Sequence, residues 1–167
     1  MNLNYRKASV DDAERLKSLG LSAYGRFQEV LGTHWKTMEA NLQEMDYAHL
    51  LSYAHGFACE TTDKIIGMAF LVPSGNSTTI FPSNTAYIRL IGVHPGYEGK
   101  GIGKKLTAMC VNYAREIHEK TVMLHTSEFQ NNARHIYETL GFVRIKELPK
   151  IYDKQYYLYR FELNEER

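Results

Sequence analysis

The sequence predicts a mixed α/β domain, and three observations carry that expectation. Short strand-like runs and segments of helical period follow one another in the order β-α-α-β-β-β-α-β-α-β-β. No internal repeat, low-complexity tract or linker interrupts them, so one domain over residues 1–167 is expected. A hydrophobic content of 44% with 23% charged residues, in a chain of 167 residues, suits a domain with a substantial core.

The elements follow in order. Leu3 and Tyr5 alternate with polar residues, which predicts a strand over 2–8. Ser9 followed by Asp12 forms a capping-box-like start, and Val10, Ala13, Leu16 and Leu19 recur at helical spacing. A second helical region covers Tyr24 to Val30 and Trp35 to Met45, interrupted by Gly32. Residues 56–61 and 64–72 read as strands around a Thr62–Asp63 turn. A polar loop, 76–85, leads into a strand over 86–93 that Pro95 stops. Ile102, Leu106, Met109, Tyr113 and Ile117 then share a helical face. A strand over 121–127 precedes a short helix with Ala133, Ile136, Tyr137 and Leu140 on one side, closed by Gly141 as a left-handed cap. Strands near 142–147 and 155–163 complete the chain.

Composition narrows the function. A formal charge of +1 argues against a nucleic-acid binder held by bulk charge. Cys59 and Cys110 form neither a disulfide framework nor a metal-ligand pattern, and the seven histidines include no close-spaced metal pair, so no metal is expected. A reduced cytoplasmic setting is the expectation. The N-terminus has no signal-peptide apolar core. The uncharged run from Ile65 to Ile88 is broken by Pro73, Gly75 and Pro82, which excludes a membrane span there.

The segment Gly96 to Leu106, GYEGKGIGKKL, places four glycines at a strand-to-helix junction. Free N–H groups at the positive end of a helix dipole hold phosphate well, and small residues let it approach. The segment is not a P-loop, because Gly103-Lys104 is followed by Lys105 and position 98 is Glu. It is not the dinucleotide pattern either, because position 106 is Leu.

The stretch VHPGYEGKGIGKKL resembles the acetyl-CoA pyrophosphate loop of the GNAT superfamily of N-acetyltransferases, with Gly99, Gly101 and Gly103 as its glycines. Glu98 occupies the usual Arg or Gln slot; its side chain is expected to face solvent, with Lys100, Lys104 and Lys105 supplying positive charge. Downstream, ARHIYETLGF (Ala133 to Phe142) is similar to the family's second signature, with Gln130, then Asn131 and Asn132, where members often carry Asn. The resemblance implies a mixed, mostly antiparallel sheet with helices on both faces and a splayed strand pair holding acetyl-CoA.

It further implies direct acetyl transfer from acetyl-CoA to an amine of a small molecule or a peptide. Ile91, Gly92 and Val93 on the splayed strand, with Glu98, Gly99, Lys100, Gly101, Ile102, Gly103, Lys104, Gln130 and Asn131, are the expected acetyl-CoA contacts. Tyr137 matches the general acid. No base is assigned: Tyr87 stands where many relatives carry a Glu, with Arg89 two residues further along the same face, and His125 and Glu128 are alternatives. In such folds the acceptor pocket lies between the first helical region and the last strand pair, here rich in aromatics (Tyr24, Phe27, Trp35, Tyr47, Tyr152, Tyr156, Tyr157). A homodimer and a non-catalytic acyl-CoA-binding sensor stay open as alternatives.

Overall fold

The computed structural model describes residues 2–163. Its strands are β1 (Asn4–Lys7), β2 (His55–Glu60), β3 (Ile65–Val72), β4 (Ala86–Val93), β5 (Thr121–Ser127), β6 (Val143–Ile151) and β7 (Lys154–Glu162). They form one sheet in the order β1-β2-β3-β4-β5-β7-β6. Every neighbouring pair is antiparallel except β4 and β5, which run parallel. The helices are α1 (Ala13–Gly25), α2 (Gln28–Leu31), α3 (Trp35–Glu44), α4 (Tyr47–Leu50), α5 (Ile102–Glu116) and α6 (Asn131–Leu140).

Strand β3 sets the layers. Its eight residues are all buried because both faces are covered, which is why the sequence there reads as an unbroken apolar run. Ile66, Ala69 and Leu71 join the core beneath α5 and α6, whereas Met68, Phe70 and Val72 join the core beneath α1 and α4. A Cβ on Gly67 would lie 2.7 Å from Ile102 and 2.9 Å from Leu106. The absence of a side chain therefore lets α5 press directly on β3 and fixes where that helix begins.

Two irregularities of β4 shape the site. It pairs with β5 only at Ala86–Val122 and Tyr87–Met123, and from Ile88 onward the two strands diverge. Against β3 it carries a bulge between the Arg89–Phe70 and Gly92–Met68 pairs, with Leu90 at φ +56°.

Several local expectations change. The second helical region splits into α2 and α3 at Gly32, whose φ is +55°. The short α4 was not anticipated; the Asp46 carboxylate accepts the His49 N–H at 3.0 Å to start it. Asp12 does accept the Ser9 N–H at 2.8 Å, but the turn it begins is 3-10 and Val10 is exposed. On α5 the buried face is Ile102, Leu106, Cys110 and Ala114, with Met109, Tyr113 and Ile117 only half-buried beside it. Strand β6 runs on to Ile151 and turns through Tyr152 and Asp153, both at positive φ, into β7. Among the described residues no helix is long and apolar enough to cross a membrane.

Candidate active site

Two cavities open where β4 and β5 diverge. A groove of about 670 Å³ follows the end of β4, the glycine loop and α6. A second cavity of about 350 Å³ lies among α3, β4, β5 and the β6–β7 hairpin. Tyr24, Ile91, Phe129, Gln130 and Tyr137 line both, so the two meet at those residues.

The loop end of the groove is built from backbone. Gly99 and Gly101 adopt φ +78° and +79°, a region that disfavours side chains and that turns the loop into the first turn of α5. Gly101 has no side chain to cap that helix, and the N–H groups of Ile102, Gly103 and Lys104 meet no protein acceptor among the described residues. Three donors thus converge at a helix N-terminus, an arrangement suited to a phosphate-bearing ligand. Of the residues expected here, Ile91, Gly92, Val93, Glu98, Gly99, Gly101, Ile102, Gly103, Lys104, Gln130 and Asn131 all line the groove.

Lys100 does not. It is exposed and outside the lining. Lys105 is corrected too: its Nζ sits over the Tyr5 ring, 4.2 Å from the centroid, on the far side of α5. Nor does Glu98 face solvent unpartnered. It forms an ion pair with Arg26 at the end of α1, and both side chains line the groove. Besides Lys104, the groove therefore has a second cation in Arg26, which stacks on Phe27 and which no loop motif could reveal.

Gln130 is partly committed. Its Oε1 accepts hydrogen bonds from the Ser127 N–H (3.0 Å), the Ser127 hydroxyl (2.7 Å) and the Thr126 hydroxyl (3.2 Å), tying β5 to α6. Only its amide N–H groups are left for a ligand. The Asn131 side chain accepts from Arg134. Tyr137 is buried against Phe142 and Tyr159, yet its hydroxyl has no protein partner among the described residues. Burial first, then the Tyr24 and Cys110 side chains, push this phenol well above its ordinary value, so it is a hydrogen-bond donor at any working pH.

The second cavity is built from side chains. Tyr24, Tyr152 and Tyr156 line it as expected, with Met38, Leu42 and Met45 from α3 and the turn after it. Burial pushes the Tyr24 phenol up to about 12, against the lowering charges of Arg26 and Arg89. Trp35 and Tyr47 are core residues and Phe27 lies on the groove side alone. Tyr157 lies under Arg144, outside both cavities.

Among the base candidates, Tyr87 is buried and stacked on Phe81, with centroids 4.2 Å apart. The Glu128 carboxylate accepts the Gln155 N–H at 2.6 Å and lines neither cavity. Arg89 and His125 do line the second cavity. The His125 ring is open to the cavity but flanked by Phe81 and Tyr156. Those walls, and then the Arg89 charge, hold its imidazole below the ordinary value, so it is neutral at neutral pH. Cys110 is fully buried, and burial pushes its thiol up, as befits a small core residue.

Sequence reasoning missed Arg26, Met38, Leu42 and Phe129. Each comes from a segment whose pattern is that of an ordinary amphipathic helix or loop, and only the packing of α1, α3 and the β5–α6 connection brings them to one place.

Comparison with known proteins shows the family and the fold. An E. coli K12 protein described as an uncharacterized N-acetyltransferase, YjgM, is 43% identical over 109 residues, covering 64% of this chain and 62% of the relative. The E. coli L-amino acid N-acyltransferase MnaT is 40% identical over 60 residues, 35% of this chain and 34% of that protein. The matched segments thus span between about a third and under two thirds of these curated relatives. The PaiA N-acetyltransferase of Thermoplasma acidophilum, solved with coenzyme A, superimposes with a TM-score of 0.79 over 98% of this chain and 100% of its own, at 14% identity. YncA of Salmonella typhimurium, described as a putative acetyltransferase and solved with acetyl-CoA, gives 0.71 over 98% and 95% at 18% identity. Residues 25–142, the stretch from the end of α1 through both sequence signatures, match the acetyltransferase (GNAT) family, and the chain belongs to that family.

Proposed function

We propose that this protein, read as one domain over residues 1–167, is an N-acetyltransferase that moves an acetyl group from acetyl-CoA directly to a primary amine. The observation that carries the reading is the junction of two cavities at Tyr137, one suited to a phosphate-bearing thioester and one to an acceptor. A non-catalytic acyl-CoA sensor would need the groove alone; the second cavity favours the enzyme.

The pyrophosphate of acetyl-CoA would rest on the N–H groups of Ile102, Gly103 and Lys104, with Lys104 and Arg26 adding charge. The pantetheine arm would follow Ile91, Gly92 and Val93, whose strand lacks a β5 partner there. This carries the thioester to Tyr137. The amine nitrogen then bonds to the acetyl carbon and the carbon–sulfur bond breaks. One proton leaves nitrogen and one reaches sulfur, so the step balances without an outside acid or base once the amine is neutral. Tyr137 donates towards the departing sulfur. His125, neutral in the acceptor cavity, is the proposed group that takes the proton of an arriving ammonium.

Tyr137→Phe removes one hydroxyl and keeps the buried ring. The single-turnover rate of acetyl transfer, read by free-thiol release, should fall by ~10²-fold, the lower end of general-acid effects, with acetyl-CoA affinity unchanged. A full rate in this variant would return Tyr137 to a packing role.

A further inference from the structure

Among the described residues, Arg89 is the only permanently charged side chain lining the acceptor cavity, and no described carboxylate lines it. Arg89 is half-buried, forms none of the ion pairs among the described residues, and has only the Met45 sulfur, at 3.9 Å, near its Nη2. The β4 bulge at Leu90 lies directly after it, the kind of irregularity that re-aims a side chain. In the free protein, cavity water can solvate this guanidinium. An acceptor that displaces that water must bring its own counter-charge, because an unpaired charge shut away from solvent is costly. A polyamine or a lysine side chain would add a second positive charge to the same cavity. Neutral His125 supplies no compensating anion.

Resting on the acetyltransferase reading above, we propose that the acceptor is a small amino acid whose carboxylate pairs with Arg89. A guanidinium meets a carboxylate with two parallel hydrogen bonds, which fixes orientation as well as charge. Arg89 precedes Ile91, which lines both cavities, by two residues, or less than about 7 Å along a strand. A carboxylate held there leaves an α-amino group facing the junction. Beside the polar Asn41, Thr126 and Gln130, the α3 and hairpin walls (Met38, Leu42, Met45, Ile151 and Tyr156) are apolar or aromatic and favour an apolar side chain. The volume of about 350 Å³ lies at the small end of ligand sites and suits a single amino acid.

The test compares L-methionine and L-phenylalanine with their methyl esters and with the corresponding amines lacking the carboxylate, using the full chain and acetyl-CoA. The ester amines are less basic and more often neutral, so intrinsic reactivity favours them. The free acids should nevertheless win by ~10²-fold in kcat/KM, the scale of a charge-assisted hydrogen bond. Arg89→Gln should abolish that preference through KM while leaving acetyl-CoA affinity intact, and Arg89→Lys should restore part of it. Equal or better turnover of esters, of carboxylate-free amines or of spermidine by the unaltered protein would overturn the proposal, as would undiminished discrimination in Arg89→Gln. Calorimetry of L-phenylalanine on the complex with coenzyme A separates this from the catalytic reading. Arg89-dependent binding without turnover would sustain the carboxylate site and sink the catalytic assignment, whereas neither binding nor turnover of the free acids would sink the site.

Discussion

The two cavities that meet at Tyr137 are made from different materials. The groove presents its free donors on consecutive backbone, the bulged end of β4, the glycine loop and the first turn of α5 within residues 91–104, with side chains of α1 and α6 such as Tyr24, Phe27 and Asn131 along its walls. The acceptor cavity is formed by side chains from α1, α3, β4, β5 and the β6–β7 hairpin, segments more than a hundred residues apart at their extremes. A ligand met by backbone N–H groups is recognised through a conformation, and glycine advertises conformation in the sequence. A ligand met by side chains is recognised through a juxtaposition, which packing creates. This difference predicts separable effects: changes in the loop should alter acetyl-CoA affinity alone, and changes in the second cavity should alter the acceptor alone.

The largest expected effect tests the first half. Gly103 lies in the first turn of α5 without a positive φ, and a Cβ there would make ordinary contacts with Ile136 and Val93 at 3.6 and 3.7 Å. Gly103→Val should therefore fold, yet crowd the N–H groups. Acetyl-CoA affinity by calorimetry should fall by ~10²-fold or more, the loss of one or two charge-assisted hydrogen bonds, with the acceptor KM unchanged at saturating acetyl-CoA. Unchanged affinity in a folded variant would remove the pyrophosphate from this loop. Gly101→Val is a poorer probe, because φ +79° makes a β-branched residue strained whatever binds.

A middle-sized effect concerns His125 and sharpens the second half. Its imidazole is held below the usual 6.5 by the cavity walls and Arg89. The neutral, proton-accepting form is therefore present above that lowered value and is lost as pH falls through it. If His125 takes the proton of an arriving ammonium, kcat/KM for the acceptor should stay level from neutral pH down to a limb below pH 6.5. His125→Gln should lower kcat/KM by roughly tenfold at neutral pH and make it fall steadily with unit slope below the pKa of the amine. Identical profiles for the two proteins would leave deprotonation to solvent.

The smallest effect probes the boundary between the two materials, since Glu98 and Arg26 set a side-chain ion pair beside the backbone donors of the loop. Glu98→Arg removes an anion beside the loop and frees Arg26 for the ligand. Acetyl-CoA should bind equally or up to about tenfold tighter at low salt, with the gain shrinking as ionic strength rises. Weaker binding would mean that the ion pair helps to shape the groove.

Legibility followed the same division. The two strands that frame the site, β4 and β5, lie at the residues expected from their apolar runs, because Pro95 and the flanking polar residues mark their ends. The glycine loop, the Gly141 cap at φ +110° and the position of Tyr137 on α6 were equally readable, since each depends on residues close in sequence. Lys100 and Lys105 show the limit of reading charge from proximity in sequence: Lys100 lies outside the groove lining, and a helix turns by about 100° per residue and carries Lys105 round to Tyr5. Trp35 and Tyr47 are aromatic enough for an acceptor wall, yet both are buried away from the cavities, Tyr47 in the core beneath α1 and α4.

By itself, then, the sequence determined the order of the strands, the fold class and the strand-to-helix junction with its free donors, because those are properties of local conformation and of apolar period. The Arg26–Glu98 pair, the unpaired Arg89 opposite His125, and the meeting of two cavities at Tyr137 were decided only in three dimensions. No local pattern encodes them: they arise where β4 and β5 part after two residue pairs, and where α1, α3 and the β6–β7 hairpin close over the gap.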